Sequence, residues 1–289
     1  MKLHTTMAMA ALLLASCEGL KIGDYQITAD DIRSAVRVGQ AVVKSSEDIT
    51  PEQQYYLGRT VAAGLLANHP PLPSGELGTY VSQLGECLVL FSEKPELFKG
   101  YSFQVLDTEE VNAFATPGGH VLVTKGLLRC CEAEDDLAAV LAHEIAHVQH
   151  NHGIKAIKGS RWTQVGTLLA REAAARYTQE ELSQLVTAFD GAVEDVMASL
   201  VNGGYSRSCE TEADASAIAI LKRAGYNPRA LHRVLEAMKT RCRKDSGFGK
   251  THPDPEDRQE DIRPMISTCP EFDPPLRSKA RFQLAVKGL

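Results

Sequence analysis

The sequence predicts an α+β fold, in which one mostly helical domain carries a small antiparallel sheet. Apolar residues recur at helical spacing over most of the chain, and the period changes to that of strands only between Tyr101 and Thr124. With 289 residues, of which 44% are hydrophobic, the chain is long enough to bury a full core. Beyond Cys17 no run approaches the roughly 18 apolar residues of a membrane-spanning helix, so we expect a soluble domain apart from any anchor.

An apolar segment precedes this domain. Lys2 is followed by an apolar run from Met7 to Leu14, which is too short to span a bilayer and is typical of a secretory signal. Leu14-Ala15-Ser16-Cys17 resembles the lipobox of bacterial lipoproteins, in which the cysteine is lipidated. We therefore expect residues 1–16 to be a lipoprotein signal peptide and Cys17 to carry a membrane anchor. The alternative is an ordinary signal peptide with an incidental cysteine.

The predicted elements follow in a simple order. The region 17–100 is expected to be helical, and three strands with a Pro-Gly-Gly turn are expected to form the sheet just before a long acidic-capped helix. Further helices precede a loop-rich stretch that begins near Lys244, and a core over 101–267 is followed by a tail over 268–289. The predicted helices are Thr28–Lys44, Pro51–Leu66, Glu76–Phe91, Glu132–His150, a pair within Trp162–Leu200, and Ser206–Gly225; the predicted strands are Tyr101–Leu106, Val111–Thr116 and His120–Thr124.

The chemistry is predicted by an H-E-x-x-H motif inside the long helix. His143 and His147 are four residues apart, so both imidazoles lie on one helical face, about 6 Å apart along the axis, and can hold one metal ion. Glu144 lies beside the first ligand and can take a proton from the attacking water. A bound zinc ion lowers the pKa of such a water to about 7. The motif therefore predicts a zinc-dependent hydrolase.

A third ligand must come from elsewhere. His150 lies on the same helical face, but three ligands spread over about 10.5 Å of one helix surround a single ion poorly. We therefore expect His150 and His152 to be solvated or to lie behind the ligands. Glu210, on a separate predicted helix, is the better candidate. Asp214, one turn further on, is positioned to hydrogen-bond a ligating imidazole.

Four segments resemble a known family of zinc peptidases, which includes the CAAX prenyl proteases, the mitochondrial OMA-type proteases and the periplasmic BepA/LoiP-like proteases. They occur in the family's order over about half of the chain. These segments are Asn112-Ala113-Phe114-Ala115-Thr116-Pro117-Gly118-Gly119-His120, His143–His147, Ser206–Asp214 and Thr251–Arg258. The membrane-embedded relatives have several spanning helices, which this chain lacks, and the 34-residue helical repeats of some periplasmic relatives are absent too.

The resemblance implies a zincin-like (gluzincin) metallopeptidase domain with one Zn²⁺ held by His143, His147 and Glu210. It also implies an edge strand that binds substrate backbone, and the matching residues here are Asn112, Ala113, Phe114 and Ala115. In some relatives the histidine of the His-Pro segment faces the metal. His252 would then stabilise the oxyanion or occupy the open coordination position, unless it is a loop histidine without a role.

The resemblance leads to a specific functional hypothesis. We expect a zinc-dependent endopeptidase of the bacterial cell envelope, lipid-anchored in the periplasm and acting on unfolded or misassembled proteins. Glu18, rather than an aspartate, after the lipobox favours the outer membrane. The alternative functions are a zinc-containing chaperone or assembly factor with a gated site, and a hydrolase of another bond. The net charge of −6, with no basic cluster, argues against nucleic acid.

Six cysteines remain after Cys17. Export to an oxidising compartment makes disulfides plausible, and Cys242–Cys269 is the favoured pair because it would clamp the loop containing His252. The cysteines are not expected to bind the metal instead, because none forms a C-x-x-C pair and the adjacent Cys130 and Cys131 suit chelation poorly.

Overall fold

A computed structural model describes residues 21–22, 25–26, 50–73, 75–157, 179–241, 251–252, 255–270 and 275–289. The predicted signal peptide, Cys17 and the helix expected over Thr28–Lys44 lie outside the described residues, as does Cys242. Within the described part of the chain, no helix is long and apolar enough to cross a membrane.

The described elements are mostly helices with one three-stranded sheet, as expected, but the short strands Lys21–Ile22 and Tyr25–Gln26 form a further antiparallel pair within the region 17–100, which was expected to be helical. The strands are β1 (Lys21–Ile22), β2 (Tyr25–Gln26), β3 (Ser102–Leu106), β4 (Ala113–Thr116) and β5 (His120–Thr124). The helices are α1 (Pro51–Asn68), α2 (Glu76–Val89), α3 (Lys125–Leu128), α4 (Glu134–Gln149), α5 (His152–Lys155), α6 (Gln179–Ala198), α7 (Arg207–Ala224), α8 (Ala230–Arg241), α9 (Pro255–Ile266) and α10 (Leu276–Ala285), with a π-helical turn at Ser199–Gly203 after α6.

The three-stranded sheet is mixed, so the expectation of an antiparallel sheet was wrong in this respect. Its order is β3-β5-β4, and β5 pairs parallel with β3 and antiparallel with β4. The Pro-Gly-Gly turn closes the β4–β5 hairpin as expected, with Gly118 and Gly119 at φ values of 76° and 96°. β5 therefore lies between the two earlier strands, an arrangement that local sequence patterns do not specify.

The two outer edges of this sheet differ. The edge of β3 is covered by the Pro-rich segment before α2, because Leu72 N–H donates to Val105 O at 2.8 Å and Asp107 N–H donates to Pro70 O at 2.8 Å. The outer edge of β4 has no strand beside it among the described residues. β4 is therefore the edge strand, as the family resemblance implied for this segment.

Helix α4 forms the centre of the molecule and packs against α7, α8, α2 and the sheet. Nearly all of its residues are buried, including Leu137, Leu141 and Ile145 on its apolar stripe. The helix begins with Glu134, Asp135 and Asp136 as predicted, and Asp136 accepts hydrogen bonds from the backbone of the two residues before the helix. The consequence is a rigid, buried support for the H-E-x-x-H motif.

Helix α7 begins and ends where the sequence indicated. Ser206 caps it by accepting a hydrogen bond from Cys209 N–H at 3.4 Å, and Gly225 ends it in the left-handed conformation with φ of 80°. The structure does not bear out the predicted Cys242–Cys269 disulfide, because Cys269 is a buried free thiol. Cys242 itself lies outside the described residues.

Candidate metal centre

Helix α4 presents both motif histidines to one point. The Nε2 atoms of His143 and His147 lie 3.0 Å apart, and both side chains are almost completely buried. Glu144 is equally buried on the same helix. The spacing of four residues thus brings the two imidazoles together as the sequence predicted.

Helix α7 brings a carboxylate to the same point from another side. Glu210 Oε2 lies 3.4 Å from His143 Nε2, and Glu210 Oε1 lies 3.5 Å from His147 Nε2. One turn later, Asp214 Oδ1 lies 2.9 Å from His143 Nδ1, on the far side of that imidazole. The two residues therefore occupy the positions expected of a ligand and of the group that orients a ligand.

His252 also reaches this centre. Its Nδ1 lies 2.9 Å from Glu210 Oε2, and its Nε2 lies 3.9 Å from Glu144 Oε1. The residue before it, Thr251, is held in place, because its Oγ1 donates to Asn112 Oδ1 at 3.2 Å and a β-carbon at Gly204 would lie 2.4 Å from its backbone oxygen. The chain is thus built to bring His252 against the other three side chains.

The donor set fits a zinc ion. One ligand atom from each of His143, His147, Glu210 and His252 can be chosen so that all four lie within 4.8 Å of one another, and all four side chains are buried. Imidazole nitrogen and carboxylate oxygen are the donors of catalytic zinc sites. Three protein ligands and an open fourth position are typical of such sites. His252 adds a fourth donor close to the other three, and its role stays a prediction.

The charges around the centre favour a cation. Burial lowers the pKa of His147 well below its ordinary value, which keeps this imidazole neutral and able to bind a metal. Burial and Arg258 also lower the pKa of His143, but Asp214 and Glu210 outweigh them and raise it to about 9. The negative charge of these carboxylates therefore favours a proton on His143. A metal ion bound there would supply the positive charge instead.

Glu144 has the properties of a buried base. Burial raises its pKa above the ordinary value, although the neighbouring His252 and His143 oppose this. Its Oε1 is buried and has no hydrogen-bond partner among the described residues. Buried carboxylate oxygens are normally paired, and an unpaired one in a cleft is a candidate for chemistry.

Arg258 lies beside the centre. Its guanidinium forms two hydrogen bonds to Asp214, at 2.6 and 2.9 Å, and lies 3.3 Å from Glu210 Oε2. The side chain is only 1% exposed. It supplies the positive charge that allows two carboxylates, Glu210 at the centre and Asp214 behind His143, to be buried together.

The sequence did not indicate that Tyr205 belongs to the centre, and it left two alternatives for the location of His152. Tyr205 stacks on His147 with ring centroids 4.5 Å apart, and no periodic pattern marked it because it precedes the cap of α7. His152 lies behind His147, which was one of the two alternatives for it. The signal that could have indicated this position is Asn151, whose φ of 55° ends α4 and turns the chain back.

The residues expected to bind substrate lie on the edge strand β4 and just before it. Asn112, Ala113, Phe114 and Ala115 are all buried. Ala113 N–H is bonded to the Asn112 side chain at 2.9 Å rather than to the neighbouring strand. Their backbone therefore lies at the open edge of the sheet, beside α4, but is not exposed in this conformation.

This arrangement defines a class of protein, the metallopeptidases built on an H-E-x-x-H helix with a glutamate as third ligand. The chain belongs to peptidase family M48, whose model matches residues 78–266. The match covers the sheet, α4, α7 and the segment containing His252, and thus all of the residues that form the candidate centre.

Relatives share this part of the chain. Over 251 residues, 80% of this chain and 50% of the relative, it is 28% identical to the beta-barrel assembly-enhancing protease of Escherichia coli K12. It is 31% identical over 195 residues to the mitochondrial metalloendopeptidase OMA1 of Schizosaccharomyces pombe, covering 66% of this chain and 53% of the relative. The metalloprotease YcaL of Escherichia coli K12 is 29% identical over 171 residues, 58% of this chain and 63% of the relative. The chain thus spans about half the length of the first two relatives.

Proposed function

We propose that this protein is a zinc-dependent endopeptidase in which His143, His147 and Glu210 hold the metal and Glu144 is the general base. The observation that supports this most strongly is the convergence of these side chains, all buried, from two separate helices. A structural zinc site needs no base, whereas Glu144 places an unpaired carboxylate oxygen beside the ligands.

Each residue of the centre has a separate chemical role. Zinc, when bound, lowers the pKa of water and polarises the carbonyl that is attacked. Glu144 accepts the proton from the attacking water and returns it to the leaving nitrogen, a task for which its raised pKa is suited. Asp214 holds the proton on Nδ1 of His143, so that Nε2 stays free to bind the metal.

The substrate is proposed to bind as an extended peptide along β4. Among the four residues expected to bind substrate, the backbone of Asn112 is already bonded to Thr124 and Phe114 lies opposite Leu122 of β5, so a peptide would pair with the outward-facing backbone of Ala113 and Ala115. Such pairing gives affinity with little sequence preference, as suits unfolded substrates. Asn112 Oδ1 accepts from both Ala113 N–H and Thr251 Oγ1, so the Asn112 side chain has to move before a peptide can pair at Ala113.

The contact between Thr251 and Asn112 also favours a second candidate function, a chaperone or assembly factor whose zinc site is gated. His252 lies beside both Glu210 and Glu144, where it can occupy the open coordination position. The same location would let it stabilise the oxyanion once a substrate is bound. The two roles predict opposite effects for His252→Ala, because loss of a gate raises cleavage and loss of an oxyanion donor lowers it by about 10²–10³-fold.

The cellular setting is proposed from the relatives and from the N-terminal motif. One relative is named for beta-barrel assembly, so misassembled envelope proteins are the proposed substrates. The lipobox-like Cys17 would tether the domain to a membrane facing the periplasm, with the outer membrane favoured by Glu18. Membrane fractionation of the full chain beside Cys17→Ala tests this, since only the parent should sediment with membranes.

The decisive experiment measures bound zinc and casein cleavage for the purified parent and for Glu144→Gln. We expect about one zinc per chain in both proteins, and cleavage of unfolded casein by the parent alone, with a loss of at least about 10²-fold in the variant. His252→Ala is measured beside them to separate a gate from an oxyanion donor.

The outcomes distinguish the two candidate functions. Zinc without cleavage in the parent, but with cleavage in His252→Ala, indicates a gated peptidase. Zinc without cleavage in any of the three proteins favours the chaperone. A parent protein that holds no zinc contradicts the proposed function altogether.

A further inference from the structure

A second chain of hydrogen bonds leads from the metal centre to the protein surface through His152. This residue begins α5, is 0% exposed, and places its Nδ1 2.8 Å from Nδ1 of His147. Its other ring nitrogen, Nε2, lies 2.9 Å from Glu212 Oε2. Glu212 is 45% exposed, so the chain runs from a buried ligand to a solvated carboxylate.

His147 and His152 are linked to each other, to the metal position and to Glu212. With both imidazoles neutral, only one arrangement of protons satisfies these three contacts. His147 must keep Nε2 free for a metal, because this atom faces His143 and Glu210, and its proton must therefore be on Nδ1. That N–H donates to Nδ1 of His152, which fixes the proton of His152 on Nε2. The Nε2–H of His152 then donates to Glu212, whose carboxylate can only accept.

We propose that His152, oriented by Glu212, is the positioning residue for the metal ligand His147. This inference rests on the proposed metal site. His152 fixes the tautomer and the ring orientation of His147, as Asp214 does for His143 on the opposite side of the centre. The two ligands thus differ in the group behind them, a carboxylate for His143 and a neutral imidazole for His147.

The local charges explain why an imidazole stands behind His147. Glu144, Glu210 and Asp214 already bury three carboxylates at the centre, and the one buried guanidinium near them among the described residues, that of Arg258, is bound to Asp214 on the His143 side. A fourth buried carboxylate behind His147 would lack such a partner. The intervening imidazole keeps the negative charge of Glu212 near the surface, where Lys155 Nζ lies 3.4 Å away.

The test compares His152→Leu, His152→Asn and His150→Asn in the full-chain protein. Asparagine places its Oδ1 where histidine has Nδ1, so it retains an acceptor for His147, whereas leucine retains none. His150 is the matched control, because it stacks on His152 and lies 3.4 Å from Glu212 Oε1 but makes no described contact with His147. Zinc affinity is measured by competition with a chelator, and ligand geometry by the visible spectrum of the Co²⁺-substituted protein.

We expect His152→Leu to lower zinc affinity about 10- to 100-fold, the usual effect of removing a group that orients a ligand. His152→Asn should recover most of this loss, and His150→Asn should match the parent in affinity and in the Co²⁺ spectrum. Glu212→Leu, at a half-exposed position that leaves the fold intact, should lower the affinity about three- to tenfold, as expected for one lost hydrogen bond.

Several results would overturn the inference. Equal zinc affinities for His152→Leu and the parent, or equal losses for His152→Leu and His152→Asn, would assign His152 a packing role only. If His152→Leu fails to fold, an unchanged zinc affinity in Glu212→Leu leads to the same conclusion. If the parent binds zinc and cleaves casein and these variants match it, the inference about His152 fails and the proposed function stays intact. If the parent binds no zinc, both the inference and the proposed function fail.

Discussion

The two ends of helix α4 bury acidic side chains in opposite ways. At the start of the helix, Glu134 accepts hydrogen bonds from Tyr80, Tyr226 and Arg281, the first two at 2.8 and 3.0 Å. Asp135 and Asp136 are likewise bonded, to Asn227 N–H and to Arg233. At the other end, Glu144 is as deeply buried, but its Oε1 has no hydrogen-bond partner among the described residues.

This difference separates structural from functional charge. A buried carboxylate is stable when donors or cations satisfy it, and the first turn of α4 meets that condition. Around His143 and His147, in contrast, the carboxylates carry negative charge that a bound metal cation can neutralise. The comparison predicts that changes at the first turn affect stability alone, whereas changes at the centre affect zinc binding as well.

The largest effect is expected from Arg258→Gln. Without the guanidinium, Asp214 and Glu210 remain buried without a compensating charge, so we expect the metal-free protein to lose about 3–5 kcal/mol of unfolding free energy. Because a metal ion restores positive charge, added zinc should raise the melting temperature of the variant more than that of the parent. Thermal unfolding with and without zinc measures both effects.

Arg207→Gln is the matched control for this prediction. Arg207 also joins α7 to α9 through two acidic residues, Asp257 and Asp261, but it is 57% exposed. Exposed ion pairs contribute about 0–1 kcal/mol, so this variant should unfold almost like the parent. Similar losses in the two variants would contradict the role of burial.

A smaller effect is expected from Glu134→Gln at the structural end of α4. The change keeps the shape of the side chain but removes the charge-assisted bonds to Arg281, and should cost about 1–3 kcal/mol. Zinc affinity should stay unchanged. Glu76→Gln, at the exposed first turn of α2, should cost less than about 1 kcal/mol. Urea unfolding and chelator competition distinguish the two ends, and a loss of zinc in Glu134→Gln would break the comparison.

The same glutamate should make stability depend on pH. Burial raises the pKa of Glu134, but the hydrogen bonds from Arg281, Tyr80 and Tyr226 outweigh it and lower the pKa below the ordinary value. Its contribution is therefore present above its unfolded pKa of about 4.3 and is lost as the pH falls through the folded value. The difference in unfolding free energy between parent and Glu134→Gln should shrink on acidification below about pH 4.

The smallest effect, and one of opposite sign, is expected from Tyr205→Phe. The hydroxyl of Tyr205 is buried without a partner among the described residues, so its removal should be neutral or stabilise the protein by up to about 1 kcal/mol. The ring still stacks on His147, and zinc affinity should not change. Tyr80→Phe, which deprives Glu134 of a donor, should destabilise the protein instead. A clear loss of stability in Tyr205→Phe would show that the hydroxyl is satisfied.

Local sequence patterns predicted the helices and the motif well for physical reasons. Ser206 and Gly225 bound α7 because a side-chain cap and a left-handed residue satisfy the helix ends locally. His143 and His147 converge because their spacing follows the helical period. The parallel pairing of β5 with β3 was not predicted, since strand order depends on contacts between segments distant in sequence.

The sequence by itself determined the helical character, the acidic start of α4 and the four side chains proposed to bind zinc and act as base. Each of these follows from periodicity, from helix capping or from a motif. Only the tertiary structure decided that Arg258 lies behind Asp214, that Tyr205 stacks on His147, and that His152 connects His147 to Glu212. These contacts join residues on different elements, and what selects them is the need to satisfy charge and hydrogen bonds when the elements are packed together.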